Sequence, residues 1–171
     1  MSIEQKLLEW IKDFVEQPNP KLGNWAPCPY ARAARQNNQI EIVKGKNALT
    51  DFETIDLDSK EVWIFYYPVE QYTGSEFEQI TQELNNTLMK RDIVVLDDHP
   101  DLLDTVNGVR MNFDHASLLI IQKLSLLNKA SDKLKAKGYY DHWSEDEVDN
   151  VVTWRYKYRY AFTQRPKSLL C

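Results

Sequence analysis

Residues 61–67 have the sequence EVWIFYY, and the predicted sheet is built around them. Its apolar side chains fall on both sides of a period-two alternation, which predicts a β-strand that is covered on two faces and central in its sheet. Pro68 ends the strand. Residues 93–96 (IVVL) form a second stretch of this kind. Strand, helix and strand over this length make a βαβ unit, so we expect parallel strands with a right-handed crossover.

Amphipathic helices are predicted on either side of the first strand. One runs from a cap at Ser75 to about Lys90, and another runs from a cap at Ser2 to about Glu16. In both, apolar residues recur every three or four positions. A short helix over residues 29–36 and a strand over residues 39–44 complete the N-terminal half.

Two further elements are predicted in the C-terminal half. A long, strongly apolar helix over residues 115–137 begins at a cap, Asp114, and is closed by Gly138. A strand over residues 151–162 alternates aromatic and basic side chains. Together the elements predict a single α/β or α+β domain over residues 1–171, with a mixed sheet of about four strands and helices packed on its faces.

Composition indicates a chain with a real core and an uneven charge. Of the 171 residues, 43% are hydrophobic and 12% aromatic. The net charge is −5, but residues 151–171 carry five basic and no acidic residues. This basic segment either packs beside acidic surface of its own domain or binds an anionic partner.

Cysteine usage and the apolar runs predict the compartment. The two cysteines, Cys28 and Cys171, are far apart in sequence, so no disulfide framework is expected. No apolar run approaches the roughly 18 residues that span a bilayer, and the first residues lack the form of a secretory signal. We therefore expect a cytoplasmic protein without a membrane partner.

Cys28 is the strongest candidate for a reactive side chain. Pro29 suits the first position of a helix, which makes Cys28 the predicted N-cap, with Arg32 and Arg35 close by. The helix dipole and the arginines would favour a thiolate, a candidate nucleophile. Alternatively, Cys28 is a small buried apolar residue between two prolines. The same arginines are candidate ligands for a phosphate or carboxylate of a small anionic ligand.

An acidic loop follows the second strand. His99 is a candidate general base there, and Asp97, Asp98 and Asp101 could join it around a divalent metal ion. Alternatively, the aspartates form the turn, with Pro100 setting the bend. No cofactor other than such a metal is expected.

Nucleic acid is not an expected partner. On the strand predicted over residues 151–162, the basic and aromatic side chains point to opposite faces, whereas a stacking platform needs both on one face. The sequence also lacks a glycine-rich phosphate loop.

Two short motifs carry a resemblance. An amphipathic N-terminal helix leads to residues 27–31 (PCPYA), and His99-Pro100-Asp101 follows later. This order resembles a family of small bacterial proteins with a Cys-Pro-Phe-Ala motif and a downstream His-Pro-Asp motif, with Tyr30 in place of the usual Phe. The resemblance implies that Cys28 and His99 belong to one site.

Two functions remain open from the sequence. The first is a catalytic or small-ligand site with Cys28 as thiolate, His99 as its base and Arg32 as anion partner. The second is a non-catalytic homo-oligomeric or protein-binding module that uses helix 115–137 or strand 151–162.

Overall fold

A computed structural model describes residues 1–157. The main elements follow in chain order: α1 (Ile3–Trp10), α2 (Ala31–Gln36), β1 (Ile40–Lys44), β2 (Val62–Tyr67), α3 (Gly74–Leu88), β3 (Ile93–Asp98), β4 (Thr105–Val106), β5 (Val109–Arg110), β6 (Ser117–Lys123), α4 (Leu124–Ala136) and α5 (Glu145–Val151). A π-helical turn, Ile11–Val15, extends α1 as the N-terminal periodicity predicts. Ser2 is the N-cap of α1, as predicted, and it forms a capping box with Gln5.

Four strands form one mixed sheet in the order β1-β2-β6-β3. β1 runs parallel to β2, whereas β6 is antiparallel to both β2 and β3. β2 and β3 are therefore parallel, as the βαβ prediction requires, but β6 lies between them. The chain is α+β, so the predicted fold class and the mixed sheet of about four strands are confirmed.

The sheet separates two cores because successive side chains of a strand point to opposite faces. On one face, Ile64, Leu118 and Ile120 pack with α1 and α4. On the other, Leu119 and Ile121 pack with α3. A third cluster gathers around Tyr139 and Trp143, beside the β4–β5 hairpin.

The helix predicted over residues 115–137 is wrong in its first third. Residues 118–121 belong to β6, and the helix α4 begins only at Leu124. Asp114 does not cap a helix: its φ is 67°, and its carboxylate pairs with Arg110. The four apolar residues in a row reflect burial on both faces of a strand.

The strand predicted over residues 151–162 is also wrong where it can be compared. Val151 ends α5, and Thr153–Lys157 forms a 3₁₀-helix; residues 158–162 lie outside the described part of the chain. The N-cap of α3 is Thr73, not Ser75, because the Thr73 hydroxyl accepts from Glu76 N–H in a capping box. Across residues 1–157, every helix is too short or too polar to cross a lipid bilayer.

At the outer edge of β3, a side chain pairs with the strand backbone. The amide of Asn85, on α3, donates to the carbonyl of Val95 and accepts from its N–H, both at 2.8 Å. Asn85 thus replaces a neighbouring strand at this position and leaves neither backbone group of Val95 unpaired.

We expect Asn85→Ala to lower the free energy of unfolding by about 3 kcal/mol, because both buried backbone groups of Val95 lose their partner. Urea denaturation measures the change. The matched control is Asn86→Ala, the next residue of the same helix, which is exposed and should change stability by less than about 0.5 kcal/mol. Equal effects of the two substitutions would contradict the role of Asn85.

Candidate functional site

A cavity of about 470 Å³ lies on the α1/α4 side of the sheet. The π-helical turn and α2 form one wall, α4 forms the other, and β1, β2 and β6 form the floor. This volume is within the range of pockets that hold small organic ligands, roughly 300–1,000 Å³.

The floor and the α2 wall of the cavity are mostly apolar. The floor carries side chains of the sheet face that α4 covers, namely Ile40, Val62, Ile64, Ile120 and the polar Gln122. On the wall, α2 contributes small residues, Ala31, Ala33 and Ala34. Three alanines on a six-residue helix supply little volume, so the space between α2 and α4 stays open.

The rim carries positive charge on α4. Leu126, Lys129 and Lys133 follow one another along the edge of the cavity, and all three are exposed. Within residues 1–157, neither lysine forms an ion pair. Because Lys129 and Lys133 are four residues apart on one helix, their ammonium groups repel one another mildly. A bound anion would relieve that repulsion.

Two other charged groups line the cavity. The ammonium of Lys123 is engaged, since it donates to Asp58 at 2.7 Å. Glu61 is exposed and adds one negative charge. The lysines of α4 are therefore the groups best placed to attract an anion.

Cys28 lines this cavity but is not the predicted N-cap. α2 begins at Ala31 with Tyr30 as its N-cap, and Cys28 lies one turn earlier, where its carbonyl accepts from Ala31 N–H at 3.1 Å. Its own N–H donates to the carbonyl of Val15. Cys28 is disulfide-bonded, so its sulfur is not the predicted thiolate in this form of the protein.

The two predicted anion ligands point to a carboxylate of the protein. Arg35 binds the buried Glu16 through two hydrogen bonds, of 2.5 and 3.0 Å, and Arg32 lies 3.8 Å from the same group. The hydrogen bond to Glu16 raises the pKa of Arg35. Neither arginine lines the cavity. This pair joins α2 to the end of the N-terminal helix, which is a structural role.

His99 lies across the sheet from Cys28. Its ring packs on Phe77 of α3, whereas Cys28 packs with the core on the α1/α4 side. Both ring nitrogens are occupied: Nδ1 accepts from the N–H of Asp101 at 3.1 Å, and Nε2 lies 2.9 Å from the carbonyl of Tyr72. Since a carbonyl only accepts, Nε2 carries the proton. The contacts of the two residues therefore lie on opposite faces of the sheet, and the described residues give no support to their predicted pairing.

In the acidic loop, a carboxylate forms hydrogen bonds with neighbouring protein groups. Both carboxylate oxygens of Asp98 accept hydrogen bonds, one from the Asn112 amide at 2.7 Å and one from the N–H of Phe113 at 2.8 Å. Asp97 is fully buried as well, whereas Asp101 is exposed. No group of three or more His, Cys, Asp or Glu within residues 1–157 is arranged to hold a metal ion. The described residues do not support the metal hypothesis at Asp97, Asp98, His99 and Asp101.

Comparison of this chain with protein-family models, curated proteins and solved structures finds no match. The resemblance to the bacterial Cys-Pro-Phe-Ala family stays a prediction. The candidate site therefore rests on geometry alone. Its lysines were not predicted as ligands; the signal in the sequence was the helical spacing of Lys129 and Lys133, four residues apart.

We expect His99→Ala to lower the free energy of unfolding by about 3 kcal/mol, because the Tyr72 carbonyl and the Asp101 N–H both lose a partner. His99→Gln should recover part of this loss, since its amide can still donate to Tyr72. Urea denaturation distinguishes the variants, with the exposed His142→Ala as the matched control. If His99→Ala were as stable as the wild type, the ring would not have this structural role.

Proposed function

We propose that this protein binds a small amphiphile, with an apolar body and an anionic head, in the cavity between α2 and α4. The supporting observation is the combination of an apolar cavity of ligand size with two lysines on its rim that form no ion pair within residues 1–157. The apolar body would lie against Ile40 and Ile64 on the floor. The head would lie between Lys129 and Lys133.

Binding without chemistry is favoured by the groups around the cavity. A nucleophile and a base would have to meet at the ligand, but His99 lies on the opposite face of the sheet and Cys28 is disulfide-bonded. The small anionic ligand expected from the sequence is retained in this proposal. Its charged partners become lysines of α4 instead of Arg32 and Arg35.

The apolar floor is tested by filling the cavity. Ala130 lines it from α4, and Ala130→Phe places a ring in the space that the ligand would occupy. We expect binding of decanoate, followed by displacement of an anilinonaphthalene sulfonate dye, to weaken at least about tenfold. Ala136→Phe is the matched control, because Ala136 lies on the same helix, is exposed and does not line the cavity. Unchanged binding in Ala130→Phe would rule out the cavity as the ligand site.

The charged rim is tested by neutralising it. We expect the double variant Lys129→Gln with Lys133→Gln to weaken decanoate binding about fivefold, since two exposed charges contribute about 1 kcal/mol together. Binding of the uncharged decanol should not change. Lys135→Gln with Lys137→Gln removes the same charge from α4 and its end but away from the cavity, and should have little effect. An equal loss of affinity for decanoate and for decanol would show that the lysines do not recognise the carboxylate.

A further inference from the structure

The two edges of the sheet differ. At the β3 edge, the Asn85 amide satisfies both backbone groups of Val95. At the β1 edge, no hydrogen bond among the described residues plays this part, and β1 pairs with β2 on its inner side. An open strand edge offers unpaired N–H and C=O groups to another extended segment.

The pairing with β2 decides which residues of β1 face outward. Val62 N–H donates to the Gln39 carbonyl, and Gly45 N–H donates to the Tyr66 carbonyl. In a parallel ladder, every second residue bonds the same neighbour, so Glu41 and Val43 also bond inward. The backbone groups of Ile40, Ile42 and Lys44 therefore point outward, and none of them has a hydrogen-bond partner outside the sheet within residues 1–157.

We propose that this edge pairs with the same edge of a second copy of this chain, antiparallel and with a two-fold axis at Ile42. In that register, Ile42 faces its own copy and Ile40 faces Lys44 of the other chain. Each of these pairs exchanges both backbone bonds, which gives about six hydrogen bonds and uses every outward group of β1. The two sheets become one continuous sheet of eight strands.

Charge and overlap select this register over its neighbours. A two-fold axis at Glu41 would place that carboxylate directly opposite its copy, and like charges opposite one another are unfavourable. With the axis at Ile42, Glu41 faces Val43 instead. An axis at Val43 would leave Ile40 beyond the end of the partner strand. Among these three registers, only the axis at Ile42 pairs all of β1 without placing like charges opposite one another.

The occupant is a second copy rather than an unrelated strand because the match comes from β1 itself. Sheet edges are usually protected by short strands and by charged side chains. β1 is a short strand of five residues, and it carries the charged residues Glu41 and Lys44. In the proposed register these charges do not oppose a like charge. This proposal uses backbone atoms of β1 and does not depend on the ligand proposed for the cavity.

The first test is the oligomeric state of the full chain, by light scattering and sedimentation over a wide range of dilution. We expect twice the mass of one chain, with dissociation on dilution. Ile42→Pro removes one outward N–H from each chain but no bond to β2, and should raise the dissociation constant about a hundredfold. Ile42→Val keeps the N–H and should stay dimeric. A wild type that is monomeric at every concentration, or a folded Ile42→Pro that is still dimeric, would overturn the proposal.

The second test fixes the register and does not need the proline variant to fold. In the proposed pair, the two copies of residue 42 have Cα atoms about 5.5 Å apart, within reach of a disulfide. The two copies of residue 44 are offset by four residues, about 14 Å along the strands, which is too far. Mild oxidation should therefore crosslink Ile42→Cys into dimers beyond the wild-type background and leave Lys44→Cys uncrosslinked. Crosslinking of Lys44→Cys alone, or of neither variant, would overturn the register.

Discussion

The position of β6 between β2 and β3 determines where the helices, the cavity and the buried polar groups lie. Hydrogen bonds along both of its edges hold two strands that would otherwise be neighbours. Residues 118–121 are all buried, so a helical layer must cover each face of the sheet. α3 covers one face, and α1 with α4 covers the other. The cavity then belongs to one layer and the His99 network to the other.

The sequence carried most of the fold but not this position of β6. A run of four apolar residues is compatible with a buried strand or with a buried helix, and no glycine or proline separates residues 118–121 from the amphipathic turns of α4. The boundary is set by contacts distant in sequence: Leu124 N–H donates to the Asp92 carbonyl, and Ser125 bonds the Asp92 carboxylate. The local hydrophobic periodicity does not predict these contacts. The β4–β5 hairpin did leave a local signal, Asn107-Gly108, whose positive φ values suit a tight turn.

The candidate site was harder to predict because it depends on which face each side chain takes. Cys28 and His99 each lie in a short motif that suggests a function. They lie on opposite faces of the sheet, and the local sequence does not show this. His99 follows β3 by one residue, so alternation turns it away from Leu96 and Asp98, toward α3. The cavity arises from what α2 lacks, since alanines leave space that larger side chains would fill. Small residues on α2 predict a cavity only when the position of α4, which forms the opposite wall, is known.

The two sides of the sheet differ in packing. The side at β3 contributes mainly to stability, whereas the side at β1 has space for binding. Around β3, buried polar groups bond one another and the backbone: Asn85 with Val95, and Asp98 with Asn112. Such a network is costly to disturb, because each partner that is removed leaves a buried polar group behind. Around β1, the covering helix has six residues, its alanines leave a cavity, and no hydrogen bond among the described residues reaches the outer strand edge. A ligand or a second chain that bound at β1 would bury apolar surface and satisfy backbone groups there without breaking bonds already made. Ile40 connects the two events, since its side chain lines the cavity while its backbone faces the open edge.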